Sequence, residues 1–156
     1  ILSLPIGRKR FLIEKMISLI IKVFLVGFIF WFSFILSAFI FDLSLSYYNL
    51  AIICLNLSFL GIIFGLFSVF LGTITSNSNV IFSVSSIFAI ISYIVFTLAP
   101  LFSKISFTKY FSLFYYYKGG DPLVNGLHHW HWMISILLIF SFFIISLYKW
   151  DLKELS

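Results

Sequence analysis

Ionisable side chains are what this sequence has least of. Asp, Glu, Lys and Arg make up 10% of its 156 residues, against about 25% in an ordinary soluble domain. Hydrophobic residues make up 62% and aromatics 22%. A soluble fold of this size has no interior large enough to hide that much apolar surface. The shortage of charge, with a mean hydropathy of +1.17, points to a chain solvated by lipid. Cysteine is nearly absent as well. Cys54 stands alone in an apolar run, so no intrachain disulfide can form and cysteine usage says nothing of redox compartment. A phosphate-cradling GxxxxGK[ST] loop, a nucleophile–base pair and paired carboxylates are all missing from the sequence. The chain is therefore expected not to be an enzyme itself.

The net charge of +5 does not indicate nucleic acid, because half of the Lys and Arg fall in one short stretch: Arg8, Lys9, Arg10, Lys15 and Lys22. Next to an apolar run, such a cluster reads as a cytoplasmic anchor. The chain opens on Ile1, and no small-residue cleavage site follows the first apolar run. That pattern is not a signal peptide, and further sequence upstream is expected.

Four stretches have the roughly 20 apolar residues needed to span a bilayer. They are about Leu19 to Phe41, Leu50 to Leu71, Val80 to Phe102 and Trp132 to Tyr148. The fold expected is an all-α polytopic membrane helix bundle with about four transmembrane helices plus short interfacial helices. Residues 1–18 form a cytoplasmic amphipathic segment, 19–149 the transmembrane domain, 103–131 an outer re-entrant or interfacial segment, and 150–156 a cytoplasmic tail. With both ends inside, seven basic residues lie in the cytoplasm (Arg8, Lys9, Arg10, Lys15, Lys22, Lys149, Lys153) and three outside (Lys104, Lys109, Lys118). That bias follows the positive-inside rule, and the chain is expected to be a multi-pass protein of the plasma membrane. Tyr47, Tyr48, Trp130, Trp132, Tyr148 and Trp150 fall where an aromatic belt belongs, whereas Trp31 lies mid-span and reads as packing.

Within the spans the sequence reads as free of charge, with Lys22 and Asp42 taken as the two ends of the first one. Ion-coupled transporters carry ionisable groups at depth, so any transport by this chain is expected to draw its energy from outside the bilayer. Ser58, Gly61, Gly65, Ser68 and Gly72 recur at spacings of three and four on the second span. Such a stripe allows close helix approach, either as static packing or as a surface that slides. Ser86, Tyr93, Thr97 and Pro100 share a face of the third span, for packing or for a polar path. Asn56-Leu57-Ser58 matches a glycosylation sequon but lies inside a span, out of reach of that machinery.

Two segments outside the spans carry further signals. After Pro5 and Gly7, Arg8 to Ser18 suits a short helix with Leu12, Ile13, Met16 and Ile17 on its apolar face. It reads either as an ordinary charged anchor or as a docking element for a cytoplasmic partner. The long connector from Ser103 is too polar and too punctuated to span. Gly119-Gly120-Asp121-Pro122 is a turn signal with Asp121 positioned to cap a helix starting at Pro122, and Asn125-Gly126 is a second turn. Two short helices at or dipping into the outer interface are expected, with Tyr115 to Tyr117 at headgroup depth. His128, His129 and His131 form HHxH, a weak candidate metal site. Zinc normally needs three or four converging ligands, and interfacial packing is the commoner use of such residues.

Ile1-Leu2-Ser3-Leu4-Pro5-Ile6-Gly7-Arg8, with Glu14-Lys15 after it, resembles a cytoplasmic-loop motif of export-type (type-2) ATP-binding-cassette permeases. Phe114-Tyr115-Tyr116-Tyr117, Gly120-Asp121-Pro122-Leu123 and Asn125-Gly126-Leu127 resemble the stretch before the last span of that family, and Lys149-Trp150-Asp151-Leu152 its basic ending, with fewer arginines. The resemblance covers the later part of a usual six-span permease. It implies a permease subunit working by alternating access, with a second permease copy or homologue and a separate ATPase as partners. ATP and Mg would bind that ATPase, with no cofactor in this chain and no nucleic acid. Pro5, Arg8 and Glu14 would then contact the ATPase, and Tyr116, Asp121, Pro122, Asn125 and Gly126 would belong to an outer gate. The uncharged core suits a lipid-like, apolar or weakly polar cargo. The alternatives are a non-transporting membrane scaffold or regulator, and a histidine-dependent metal or redox membrane protein.

Overall fold

A computed structural model describes residues 8–43, 46–101, 103–118 and 129–154. Every regular element among the described residues is helical: α1 (Arg8–Ile40), α2 (Tyr47–Ile74), α3 (Ser78–Leu98), α4 (Leu113–Lys118) and α5 (His129–Glu154). Two 3-10 stretches, Ala99–Leu101 and Ser103–Phe111, lie between α3 and α4. Four of the helices are long and apolar enough to cross a bilayer, at Lys9–Ile40, Tyr47–Ile74, Ser78–Leu101 and His129–Trp150. The protein is an all-α polytopic membrane helix bundle.

Local chemistry sets the helix ends. Helix α1 continues unbroken for 33 residues: it holds no Pro, and its single Gly, Gly27, lies in the interior, where one Gly weakens a helix without ending it. It ends where Asp42 takes a positive φ of 47°. The Leu43 N–H then closes onto the Ala38 carbonyl at 3.0 Å, and the Phe41 N–H onto that of Ser37. This is a Schellman-type cap with Asp in the place usually taken by Gly. The polar turn expected over 72–79 shortens to three residues, since α2 runs on through Ile74. Asn77 caps α3 by accepting from the Asn79 N–H at 3.0 Å, and Thr75 Oγ1 accepts from the Asn77 N–H at 3.3 Å. At the other end of α3, Pro100 lacks the N–H that an α-helix needs there, and the chain tightens into 3-10 geometry.

Helix α2 is the centre of the bundle. Half of its most apolar stretch is buried inside the protein, against 6% for α1 and α3 and 17% for α5. Helix α1 is antiparallel to α2, with Leu19 against Gly65, Val23 against Gly61 and Gly27 against Ser58. Helix α3 is antiparallel to α2 on another side, through Ile81 at Gly72, Ser85 at Ser68 and Phe88 at Phe64. Helix α5 runs parallel to α2, since Trp132 meets Phe59 and Phe142 meets Phe67. One end of the bundle therefore gathers the start of α1, the end of α2, the start of α3 and the end of α5. We call it the basic end. Leu12, Met16, Ile62 and Leu66 form a buried cluster extending towards it, joined by Leu147 and Trp150 of α5. A second cluster of Leu60, Ile63 and Leu113 lies towards the opposite end.

The amphipathic segment and the first span are one helix rather than two. Leu12 and Met16 of the expected apolar face are buried against the bundle, and Ile17 is exposed. The packing register also corrects the place of Lys22. Its neighbour Val23 packs on Gly61, 14 residues after Tyr47 and 13 before Ile74 in α2. Lys22 therefore stands level with the middle of the bundle and not at its edge. Its side chain is exposed on the outside of α1, so the charge points away from the helix interfaces. In lipid the burial of Leu or Met brings no hydrophobic gain, because acyl tails are equally apolar; close packing and hydrogen bonds hold the helices together instead.

Candidate functional site

The most elaborate polar chemistry among the described residues surrounds the segment 99–118. After α3 the chain doubles back as the 3-10 helix Ser103–Phe111 and turns at Ser112. It then continues as α4, antiparallel to α2. Leu113 packs on Leu60 and Ile63, and the backbone of Tyr117 reaches Asn56, nearer the start of α2. The turn lies beside Ser92, six residues before the end of α3, about 9 Å along its axis. The segment is a hairpin folded back against α2 and α3.

Non-helical backbone at such a depth must be satisfied by protein, because lipid offers no partner. Ser92 provides that here. Its Oγ accepts from the Leu113 N–H at 3.0 Å, its carbonyl accepts from Ser112 Oγ at 2.6 Å, and the two hydroxyls lie 3.3 Å apart. The remaining groups are met locally: the Ser112 N–H donates to the Lys109 carbonyl and the Tyr115 N–H to that of Ser112. Ser92 and Ser112 are both buried.

The rising arm of the hairpin is tied down a second time. Asn56 Nδ2 donates to the Tyr117 carbonyl at 3.3 Å, and Trp132 Nε1 donates to Asn56 Oδ1 at 2.8 Å. One buried amide thus joins α2, α4 and α5. Beside it, His131 is buried between the rings of Tyr115 and Tyr116, at 5.3 and 5.8 Å between centroids. The Tyr116 hydroxyl donates to the Tyr110 carbonyl at 2.7 Å. Burial pushes the Tyr116 phenol above its usual range, and Tyr115 and Tyr110 push it the same way. It remains a neutral donor at physiological pH.

Two apolar clefts flank the crossing of α1 and α2. One, of about 520 Å³, is lined by Phe24, Phe28, Trp31, Cys54 and Leu55 among others. The second, of about 490 Å³, has α2 as its floor, Val23 and Phe30 of α1 on one wall, and Ala89 of α3 and Phe114 of α4 on the other. Apart from Ser58, their walls offer hydrocarbon and aromatic surface. Such surfaces suit acyl chains or other apolar molecules.

The sequence-predicted residues fall in different places. Pro5, Asp121, Pro122, Asn125, Gly126 and His128 lie outside the described residues. Arg8 opens α1, and Glu14 pairs with Arg10 at 3.0 Å on its exposed side. The small-residue stripe divides between two neighbours. Ser58, Gly61 and Gly65 face α1, whereas Ser68 donates to Ser85 Oγ of α3 at 2.9 Å and Gly72 meets Ile81. On α3 the serines that reach neighbours are Ser85 and Ser92. Of the face expected to do so, Tyr93 stacks edge-on against Phe114, and Thr97 bonds back to the Tyr93 carbonyl. Tyr115 to Tyr117 are half-buried against the bundle. Trp31 Nε1 donates to the Tyr47 carbonyl at 3.5 Å. Exposed His129 and buried His131 share the first turn of α5, and among the described residues no three of His, Cys, Asp or Glu converge.

Sequence reasoning met Asn56 as a sequon and Trp132 as part of an aromatic belt but missed that they bond, and it missed Ser92 and Ser112 altogether. Asn56 carried a usable signal, since an amide inside a span needs partners. The serine pair carried none, because serine is ordinary in transmembrane helices and the two are 20 residues apart. Comparisons with protein-family models, curated proteins and solved structures give no match to this chain.

Proposed function

We propose that this chain is the membrane permease part of an ATP-binding-cassette exporter, driven by a separate ATPase at its basic end. The observation that carries the reading is the distribution of charge. Among the described residues no Asp, Glu, Lys or Arg lines the clefts at the α1–α2 crossing, and Lys22 points outward. Clefts without an ionisable side chain offer no proton relay of the kind that ion-coupled transporters carry at depth. The basic end, where Arg8, Lys9, Arg10 and Lys15 stand on a helix that runs straight into the core, is suited to receive force from a soluble motor. A push there reaches Leu12 and Met16 and, through them, α2.

In this reading the basic end is cytoplasmic, the bundle sits in the plasma membrane, and the hairpin is the outer gate. The apolar clefts favour a lipid-like or weakly polar cargo. The resemblance of residues 1–8, 114–117, 120–123 and 125–127 to type-2 permeases supports the same assignment.

A non-transporting scaffold is the second reading. It is favoured by the pinning of the hairpin, which is bonded to α2 through Asn56 and to α3 through Ser92, with Trp132 of α5 bonded in turn to Asn56.

The test is reconstitution with a co-purifying subunit identified by mass spectrometry as carrying a Walker motif. The permease reading expects the chain to stimulate that subunit's ATP hydrolysis, and Arg8→Glu to weaken the association. Uphill solute movement in vesicles holding this chain alone would overturn it. A complex unaffected by Arg8→Glu would remove the docking role of that residue.

A further inference from the structure

Lys22 is an exposed cation level with the middle of the central helix, and it has no ion-pair or hydrogen-bond partner among the described residues. Ionisable groups at mid-bilayer almost always face protein or a water-filled cavity and pair with an opposite charge. The face around Lys22 also differs from a plain lipid-facing surface. Glu14, Ser18 and Lys22 follow one another at four-residue spacing, which stacks them along one side of α1. With Ile17 and Ile21 they line a shallow groove of about 350 Å³. Leu12, Met16, Val23 and Gly27 occupy the other side and pack into the bundle.

We propose that this outward face of α1 docks a further membrane-spanning helix that carries an Asp or Glu opposite Lys22. Charge complementarity selects that occupant over three others. The chain's own Glu14 is held by Arg10 and lies eight residues away, about 12 Å along the axis. A second copy in the same orientation brings Lys22 to Lys22, and its other acidic residues, Asp42, Asp121, Asp151 and Glu154, all fall outside the four spans. A lipid headgroup is too far. Lys22 stands level with the middle of α2, about 15 Å from either face of a hydrocarbon core roughly 30 Å thick, whereas a lysine stem reaches roughly 6 Å when it snorkels. The groove floor of Ile17 and Ile21 supplies the apolar contact for the incoming helix, and Ser18 a hydrogen-bonding group beside the charge. The proposal does not depend on the permease reading, since a scaffold would use the same face.

A designed helix can stand in for the partner. The full chain is reconstituted in phosphatidylcholine vesicles with a synthetic leucine-rich helix of about 21 residues, long enough to span, bearing one central Glu. The control peptide has Leu at that position, and association is read by energy transfer. The acidic helix is expected to bind roughly tenfold more tightly than the control, because the pair neutralises both charges in hydrocarbon. Lys22→Leu should abolish the preference and Lys22→Arg should keep it. Equal binding of the two peptides, or a preference that survives Lys22→Leu, overturns the proposal. So does loss of the preference when phosphatidylglycerol is added, since lipid phosphate would then be the natural partner of Lys22. Lys22→Leu removes only a charge from an exposed helix face, so it is expected to insert and fold.

Discussion

Ser92 holds Ser112 and the residue after it: the Ser112 hydroxyl donates to the Ser92 carbonyl at 2.6 Å, while the Ser92 hydroxyl receives the Leu113 N–H at 3.0 Å. The two bonds are not equivalent. Ser92 belongs to α3, where its carbonyl already has a partner one turn on. The Leu113 N–H stands in the first turn of α4, where an intrahelical partner is lacking.

Ser92→Ala is therefore expected to cost more than Ser112→Ala. The first leaves a buried N–H unmet, worth about 1–3 kcal/mol; the second removes a bond whose net value is about 0.5–1.5 kcal/mol. Amide exchange at Leu113 should speed up in Ser92→Ala and change less in Ser112→Ala. Equal protection in both variants would mean that the hairpin turn is held by something else.

Asn56 and Trp132 are expected to be coupled. Truncating Asn56 to Ala removes the acceptor of Trp132 Nε1 and the donor to the Tyr117 carbonyl together. A double-mutant cycle of Asn56→Ala with Trp132→Phe, followed by unfolding in mixed micelles, isolates the shared part. Hydrogen bonds between transmembrane helices average about 0.6 kcal/mol and reach about 1.7. A buried, 2.8 Å bond belongs in the upper half of that range, and a cycle closing at zero would assign Asn56 to packing alone.

The long helices are legible in the sequence because lipid imposes one simple requirement, an apolar run of sufficient length. Depth is not legible in the same way. Counted along α1, Lys22 stands 20 residues before Asp42, about 30 Å and a full hydrocarbon thickness, so it reads as one end of a span. Register against α2 is set by Val23 on Gly61, Leu19 on Gly65 and Gly27 on Ser58, and those contacts carry Lys22 to mid-height. The small-residue stripe is visible as a pattern, but its division between α1 and α3 depends on two neighbours that the pattern does not name. The hairpin is partly legible: the punctuated connector and its tyrosines show that the segment does not span. The serines that fasten its turn are chosen by tertiary contact and leave no periodic trace.

Replacing Asp42 with Gly is expected to raise stability. It occupies the left-handed position that closes α1, where a Cβ is strained and a negative charge meets the negative end of the helix dipole. Asp42→Gly removes both penalties and should stabilise the protein by about 0.5–1 kcal/mol after allowing for the greater freedom of the unfolded chain. Asp42→Val should destabilise it. Thermal unfolding in detergent that ranks Val at or above Gly would show that the positive φ is relieved in solution.

Gly65 and Gly72 stand on the same stripe of α2, yet the same substitution should act oppositely at the two. A Cβ at Gly65 would lie 2.8 and 2.9 Å from the methyls of Leu19, so either Leu19 leaves its rotamer or α1 moves away. Overpacking of this kind costs about 1–3 kcal/mol. At Gly72 the nearest group is Ile81 Cδ1 at 3.7 Å, ordinary contact. Alanine there keeps the packing and gains up to about 1 kcal/mol of helix propensity. Gly65→Ala should thus destabilise the protein and Gly72→Ala leave it unchanged or firmer. The decisive measurement is rescue: Leu19→Ala empties the space that the new methyl needs, so it should restore much of the stability lost in Gly65→Ala while being harmful by itself. If Leu19→Ala and Gly65→Ala are merely additive, the α1–α2 contact in the membrane is looser than its packing indicates, and the register that places Lys22 at mid-height loses one of its three supports.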